Sequence, residues 1–254
     1  MSWEKELAAA REAAAKAGEV ALRYFRDGIV AEDKPDDSPV TLADRECERI
    51  IADLLSVRFP EDGILGEEGS RKSAVSGRRW IIDPIDGTKD FVRGIPTWAI
   101  LIGLEVDGEV TTGVAHLPAL GETYFAMRDG GAFLNGSTIR VSGVTSLSRA
   151  IVCMDCLNRI SDHPIARGLV PWLSQFWAIR SLGGIMDAML VASGRAEAWI
   201  EPTAKAWDLA PIQVIIEEAG GRFLNFNGDR SIYGGNCVVC TPEIEAELHK
   251  FLNF

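Results

Sequence analysis

The sequence predicts an α/β protein of the α+β kind, built as two intimate sub-domains, residues 1–145 and 146–254. Three observations lead there. Two helical stretches precede a run of hairpin-like strands in the first half, strands and helices alternate in the second, and no low-complexity linker separates them. The 254 residues suffice to bury a full core, and 47% apolar with 25% charged residues is the balance of a globular domain.

In order, residues 3–26 are Ala-rich, with Leu7, Ala10, Ala14, Ala17 and Leu22 near helical spacing, and Asp27-Gly28 stops that helix. A polar loop over 29–40 contains Lys34-Pro35-Asp36-Asp37-Ser38-Pro39. Thr41 then reads as an N-cap with Asp44 three residues on, opening a helix to about Arg58. Ile64-Leu65-Gly66 is a short strand that ends in Glu67-Glu68. Residues 70–79, with Arg71, Lys72, Arg78 and Arg79, read as a solvated basic connection. Strands at Trp98 to Val106 and Val110 to His116 flank Asp107-Gly108, and strands at Glu122 to Met127 and Ala132 to Leu134 flank Asp129-Gly130-Gly131. Both are hairpin signals and imply an antiparallel sheet.

The pattern changes near 142–149. Strands are expected at Ala150 to Met154, Phe176 to Arg180, Ala196 to Ile200 and Arg222 to Asn225, with helices at His163 to Leu173, Ile185 to Ala192 and Trp207 to Ala219. Thr241-Pro242-Glu243 starts a last helix with a cap and a proline at its first position.

The chemistry concentrates where Trp80-Ile81-Ile82 runs into Asp83-Pro84-Ile85-Asp86-Gly87-Thr88. A buried strand ending in two carboxylates places both at the rim of a sheet, where they repel each other and rise in pKa unless a cation sits between them. All-oxygen ligands suit Mg2+. Gly87 permits a close turn, and the N–H groups that follow open a helix, a natural seat for phosphate. Asp-Pro and Asp-Gly are also ordinary turn dipeptides, and Asp44 and Asp208 at helix starts are also ordinary caps.

The net charge of −11 argues against nucleic acid and anionic membranes as partners. Charge runs through residues 1–27 and the apolar runs are short, so a cytoplasmic protein is expected. Cys153/Cys156 and Cys237/Cys240 have a C-x-x-C spacing that suggests zinc. However, Cys237 and Cys240 fall on a strand where i and i+3 face opposite ways, so packing is their expected role. There is no Gly-x-Ser-x-Gly, and His116, His163 and His249 sit in no triad setting, which counts against a serine-type hydrolase.

Gly66-Glu67-Glu68, then Asp83-Pro84-Ile85-Asp86-Gly87-Thr88, then Trp207-Asp208 with Glu217 to Gly221 behind it together resemble the inositol monophosphatase family of metal-dependent, typically lithium-sensitive phosphatases. The resemblance spans Lys34 to Gly221 and implies an αβαβα layered sandwich, usually a homodimer. It implies one Mg2+ held by Glu67, Asp83 and the Ile85 carbonyl, a second by Asp83, Asp86 and Asp208, and a weaker third near Glu67 and Glu68. By the same resemblance Gly87 and Thr88 cradle the phosphate, and Thr88 with Asp44 positions and deprotonates the attacking water. Charge supports that expectation independently: five clustered acids beside a phosphate need two or three divalent cations.

Lys34-Pro35-Asp36, Ser38 to Asp44 and the stretch 86–96 look like the histidinol-phosphatase branch. Asp90 stands where that branch commonly has Asn, and Gly183-Gly184-Ile185-Met186-Asp187 lacks its Gly-Asp-aromatic element. Glu201, Asp187 and Asp90 are the expected substrate contacts: Glu201 suits inositol hydroxyls and an ammonium alike, and Asp90 and Asp187 favour a cationic ester if either faces the pocket. Histidinol phosphate is the first choice, ahead of inositol monophosphate and a 3′-phosphoadenosine nucleotide. A regulatory metal- or phosphate-binding protein on the same scaffold is the non-enzyme alternative.

Overall fold

The computed structural model of the protein describes residues 3–28, 32–33, 39–155, 157–160 and 164–252. The first half contains α1 (Glu4–Asp27), β1 (Glu32–Asp33), β2 (Pro39–Val40), α2 (Leu42–Arg58), β3 (Gly63–Gly66), β4 (Arg71–Lys72), β5 (Arg78–Asp86) and α3 (Thr88–Val92). A meander follows: β6 (Ala99–Val106), β7 (Glu109–Leu117), β8 (Glu122–Met127), β9 (Gly131–Leu134) and β10 (Ser137–Ile139). The second half has β11 (Ile151–Met154), α4 (Leu157–Ile160), α5 (Ala166–Leu173), β12 (Ala178–Arg180), α6 (Gly184–Ala192) and β13 (Ala198–Glu201). It ends with α7 (Ala206–Glu218), β14 (Arg222–Leu224), β15 (Cys237–Cys240) and α8 (Glu245–Leu252). Lys34 to Ser38, Cys156 and His163 lie outside the described residues.

Two sheets carry the fold. One has eight strands in the order β10-β9-β8-β7-β6-β5-β3-β4, the other five in the order β12-β11-β13-β15-β14. Strand alternation sorts their side chains into three cores. Trp80 and Ile82 of β5, with Ile100 and Ile102 of β6, pack under α1 and α2. Ile81 and Leu101 turn the other way, onto α6 and α7, which also receive Cys153, Trp199 and Cys237 from the small sheet. Val152, Ile200 and Cys240 face the outer helices α5 and α8. The result is the expected αβαβα sandwich. Cys237 and Cys240 point to opposite faces of their sheet, and the described cysteines are buried and free.

Helix α7 is apolar around most of its circumference because it fills the space between two sheets. It comes from the second half yet lies directly on the first half's sheet. Gly103 and Gly113 are paired across β6 and β7 and leave a trough that receives Ala210, Pro211 and Val214. A Cβ on Gly113 would stand 2.5 Å from Val214 Cγ1 and 2.8 Å from the Pro211 carbonyl oxygen. Gly113→Ala is therefore expected to destabilise the fold by about 1–3 kcal/mol through overpacking. The check is a urea titration, where the midpoint falls and the slope holds; an unmoved midpoint would show that the helix is not seated so closely.

The basic stretch 70–79 is not a plain solvated connection. Arg71 and Lys72 form the edge strand β4, and Arg78 and Arg79 open β5. Arg78 pairs with Glu6 and Asp62, and Arg79 with Glu105, so these cations cover buried acids at the sheet's end. The polar loop contains the two-residue ladder of β1 and β2. The last helix begins with a 3-10 turn at Pro242–Ile244. No helix among the described residues is long and apolar enough to cross a membrane.

Candidate active site

Asp83 and Asp86 lie on one strand at a spacing of three, which in regular β structure sends side chains to opposite faces. A bulge resolves this. Asp83 pairs with Leu101 and Asp86 with Ala99, so three steps on β5 match two on β6. Pro84, which has no N–H for the ladder, sits inside the irregularity, and the Ile85 N–H turns to Asp83 Oδ1 at 3.0 Å. Both acids thereby reach the side from which α7 delivers Asp208. Carboxylate oxygens of Asp83, Asp86 and Asp208 all lie within 4.8 Å of one another.

Burial, then the charges of Glu67, Asp86 and Asp208, push Asp83 well above the ordinary carboxylate range. Burial, then Asp208 and Glu67, do the same to Asp86. Asp208 rises to about 6, mainly through burial, against the pull of the Lys205 N–H. Glu67 approaches from the end of β3, alongside the end of β5, because these strands run parallel with Gly66 opposite Ile82. Among the described residues this is a desolvated all-oxygen donor set whose charges oppose one another, which a hard divalent cation fits.

After Asp86 the chain turns through Gly87 at φ +82°, a left-handed conformation suited to glycine, and α3 begins. The first-turn N–H groups of α3 have no intrahelical acceptor, and Gly87, Thr88 and Lys89 border the same cleft. Thr88 Oγ1 lies 3.1 Å from the Ile85 carbonyl oxygen and 3.4 Å from Asp44 Oδ1. Asp44 is fully buried and raised above the usual range by that burial. Its Oδ2 accepts from the Thr41 N–H at 2.7 Å and from the Thr41 hydroxyl at 2.5 Å, closing the capping box of α2.

The cleft measures about 860 Å3 and is bordered by Glu67, Asp83, Asp86, Thr88, Glu201 and Asp208 among others. Glu201 ends β13, is 5% exposed and rises to about 8, first through burial and further through the charges of Asp155 and Asp208. Asp90 stands at the rim, where its Oδ2 accepts from the Thr97 hydroxyl at 2.7 Å. Glu68 does not border the cleft; its N–H donates to Glu48. Asp187 departs from expectation. It is fully buried beneath the loop that forms the cleft wall, accepting from the Leu182 N–H at 3.1 and 3.2 Å, so it shapes that wall rather than facing a substrate.

The sequence profile of the inositol monophosphatase family matches residues 2–253. The chain belongs to that family. It is 41% identical over 239 residues to a histidinol-phosphatase of Chlorobaculum parvum, covering 92% of this chain and 91% of that protein. It is 38% identical over 208 residues to an inositol-1-monophosphatase of Rhizobium meliloti, covering 80% and 78%. The crystal structure of the extragenic suppressor protein suhB from Bartonella henselae superposes with a TM-score of 0.91 at 30% identity, covering 98% of each chain. The chain is accordingly a phosphoric monoester hydrolase of the inositol monophosphatase family.

Two residues of this family member's site escape sequence reasoning. Asp155 follows β11 and borders the cleft. Its signal in the sequence is an apolar strand that ends in an acid. Glu48 lies mid-helix on α2, where an acid ordinarily marks a solvated face; here it is 2% exposed. Its carboxylate accepts from the Glu68 and Ser70 N–H groups, each at 2.7 Å, and so holds the turn that presents Glu67.

Proposed function

We propose that this phosphatase hydrolyses histidinol phosphate, with Mg2+ held by Glu67, Asp83, Asp86, Asp208 and the Ile85 carbonyl. The observation that carries the ester assignment is Glu201, a buried cleft carboxylate raised to about 8 that, among the described residues, accepts one N–H, from Thr203 at 3.0 Å. An ammonium on the substrate's alcohol part relieves the burial of that charge, and a neutral polyol does so less well. The likeness to a histidinol-phosphatase points the same way.

When bound, Mg2+ lowers the pKa of water and neutralises charge on the phosphoryl oxygens. The chain's own residues do the rest. Gly87 and Thr88 offer backbone N–H groups to the phosphate at the start of α3. Thr88 Oγ1 orients the water for attack in line with the leaving oxygen, and the proton passes towards Asp44 Oδ1. Burial makes Asp44 a stronger base than an exposed carboxylate.

The test compares kcat/KM for histidinol phosphate and inositol-1-phosphate in the wild type and in Glu201→Gln. The wild type is expected to favour histidinol phosphate by at least about tenfold, and the variant to lose most of that preference through KM. Equal or better turnover of inositol-1-phosphate by the wild type would replace the ester assignment with the second reading, which the likeness to an inositol-1-monophosphatase supports.

A further inference from the structure

β11 and β13 run parallel and in register, with Cys153 opposite Trp199 and Met154 opposite Ile200. The next residues on each strand are Asp155 and Glu201, and the Asp155 N–H still reaches the Ile200 carbonyl at 3.4 Å. Cys153 and Trp199 face the middle core, so two residues further on Asp155 and the Glu201 region reach the same side at the strand ends, where both acids border the cleft. Like charges at adjacent strand ends are unfavourable unless one of them takes up a proton or something positive comes between them.

Three observations say that the something is a ligand. Glu201 is 5% exposed, and no described residue donates to its Oε2. Trp199 is 2% exposed, borders the cleft, and its indole N–H has no acceptor among the described residues. Asp155 Oδ2 and Trp199 Cζ2 each lie 3.8 Å from where a Cβ on Gly184 would stand, so a carboxylate and an aromatic ring edge border one small open space.

We propose that Asp155 is a specificity-determining residue, which with Glu201 beside it and Trp199 alongside selects phosphate esters whose alcohol carries a protonated amine. The inference rests on the reading of this site as a histidinol-phosphate phosphatase, and extends it to a residue and a charge rule. The acid comes from the residue that follows β11 rather than from the loop at Gly183-Gly184, where two glycines leave no side chain.

The experiment measures kcat and KM of the wild type, Asp155→Asn and Asp155→Glu with three probes: histidinol phosphate, O-phosphoethanolamine and the neutral glycerol 2-phosphate. Asp155→Asn is expected to raise KM for both amine esters by about tenfold or more, leave glycerol 2-phosphate within about twofold, and leave Mg2+ activation unchanged. Asp155→Glu keeps the charge and is expected to restore part of the preference. An amine-to-neutral ratio that Asp155→Asn does not move, or an equal loss on all three esters, overturns the assignment. Wild-type preference for another amine ester over histidinol phosphate would instead sink the ester assignment and leave the charge rule standing.

Discussion

Asp208→Asn is expected to remove phosphatase activity and, in metal-free protein at neutral pH, to raise stability. The loss of activity follows if Asp208 closes the donor set with Asp83 and Asp86, whose oxygens lie within 4.8 Å of one another. A fall in kcat on the order of a thousandfold is the scale for removing one charge-stabilising group. The gain in stability follows from the same crowding. Burial pushes Asp208 up to about 6 in the fold, against 3.8 when unperturbed. Below pH 3.8 it is protonated folded and unfolded, and contributes nothing to the pH dependence. As pH rises towards 6 the unfolded chain releases its proton first, so the folded state binds more protons and loses stability. Above about pH 6 the penalty is complete, and a shift of this size corresponds to no more than about 3 kcal/mol. Asn keeps the oxygen that accepts from the Lys205 N–H, now 2.7 Å away, and removes the charge. Thermal melts in EDTA at pH 5 and pH 7.5 are the check. The wild type is expected to melt lower at pH 7.5 than at pH 5, and Asp208→Asn to narrow that gap by several degrees. A variant less stable than the wild type at pH 7.5 without metal would show that the acids are not in conflict.

The fold's layers were legible because strand alternation and helix periodicity survive in the sequence: Trp80 and Ile82 go one way and Ile81 the other, as a period of two requires. The site acids were legible as strand ends and helix starts. Sequence alone left Asp44 and Asp208 divided between cap and site. The two roles are compatible, because a carboxylate has two oxygens. Asp44 gives Oδ2 to Thr41 and turns Oδ1 towards Thr88, while Asp208 gives Oδ2 to the Lys205 N–H and still brings a carboxylate oxygen to the cluster. Illegible were features set by long-range approach. Glu48 is buried only because the 66–70 turn folds over α2, and Asp187 is buried only because Leu182 comes down on it. The bulge that aims Asp86 is hinted at by Pro84, but its register against β6 belongs to the pairing.

Thr88→Val is expected to lower kcat by about 10²–10⁴-fold, the range for losing a group that handles a proton in the transition state. Val matches Thr in shape and removes the hydroxyl that lies 3.4 Å from Asp44 Oδ1. The backbone N–H of residue 88 remains, so phosphate affinity, read as KM or as inhibition by inorganic phosphate, is expected to change by less than about threefold. Asp44→Asn is expected to give a similar loss in kcat for a different reason: Asn cannot take up the proton, although its side-chain oxygen still serves the Thr41 cap. If the two act as one relay, the double variant is expected to be no worse than the poorer single variant by more than about threefold, since groups acting as a unit are non-additive. Independent roles would instead multiply the two losses. The pH profile separates the relay from a merely structural pair: wild-type kcat is expected to fall on the acid side as Asp44 takes up a proton, and in Asp44→Asn that acid limb is expected to disappear. Retention of the limb in Asp44→Asn, or strictly multiplicative losses, would place the base elsewhere among the cleft carboxylates.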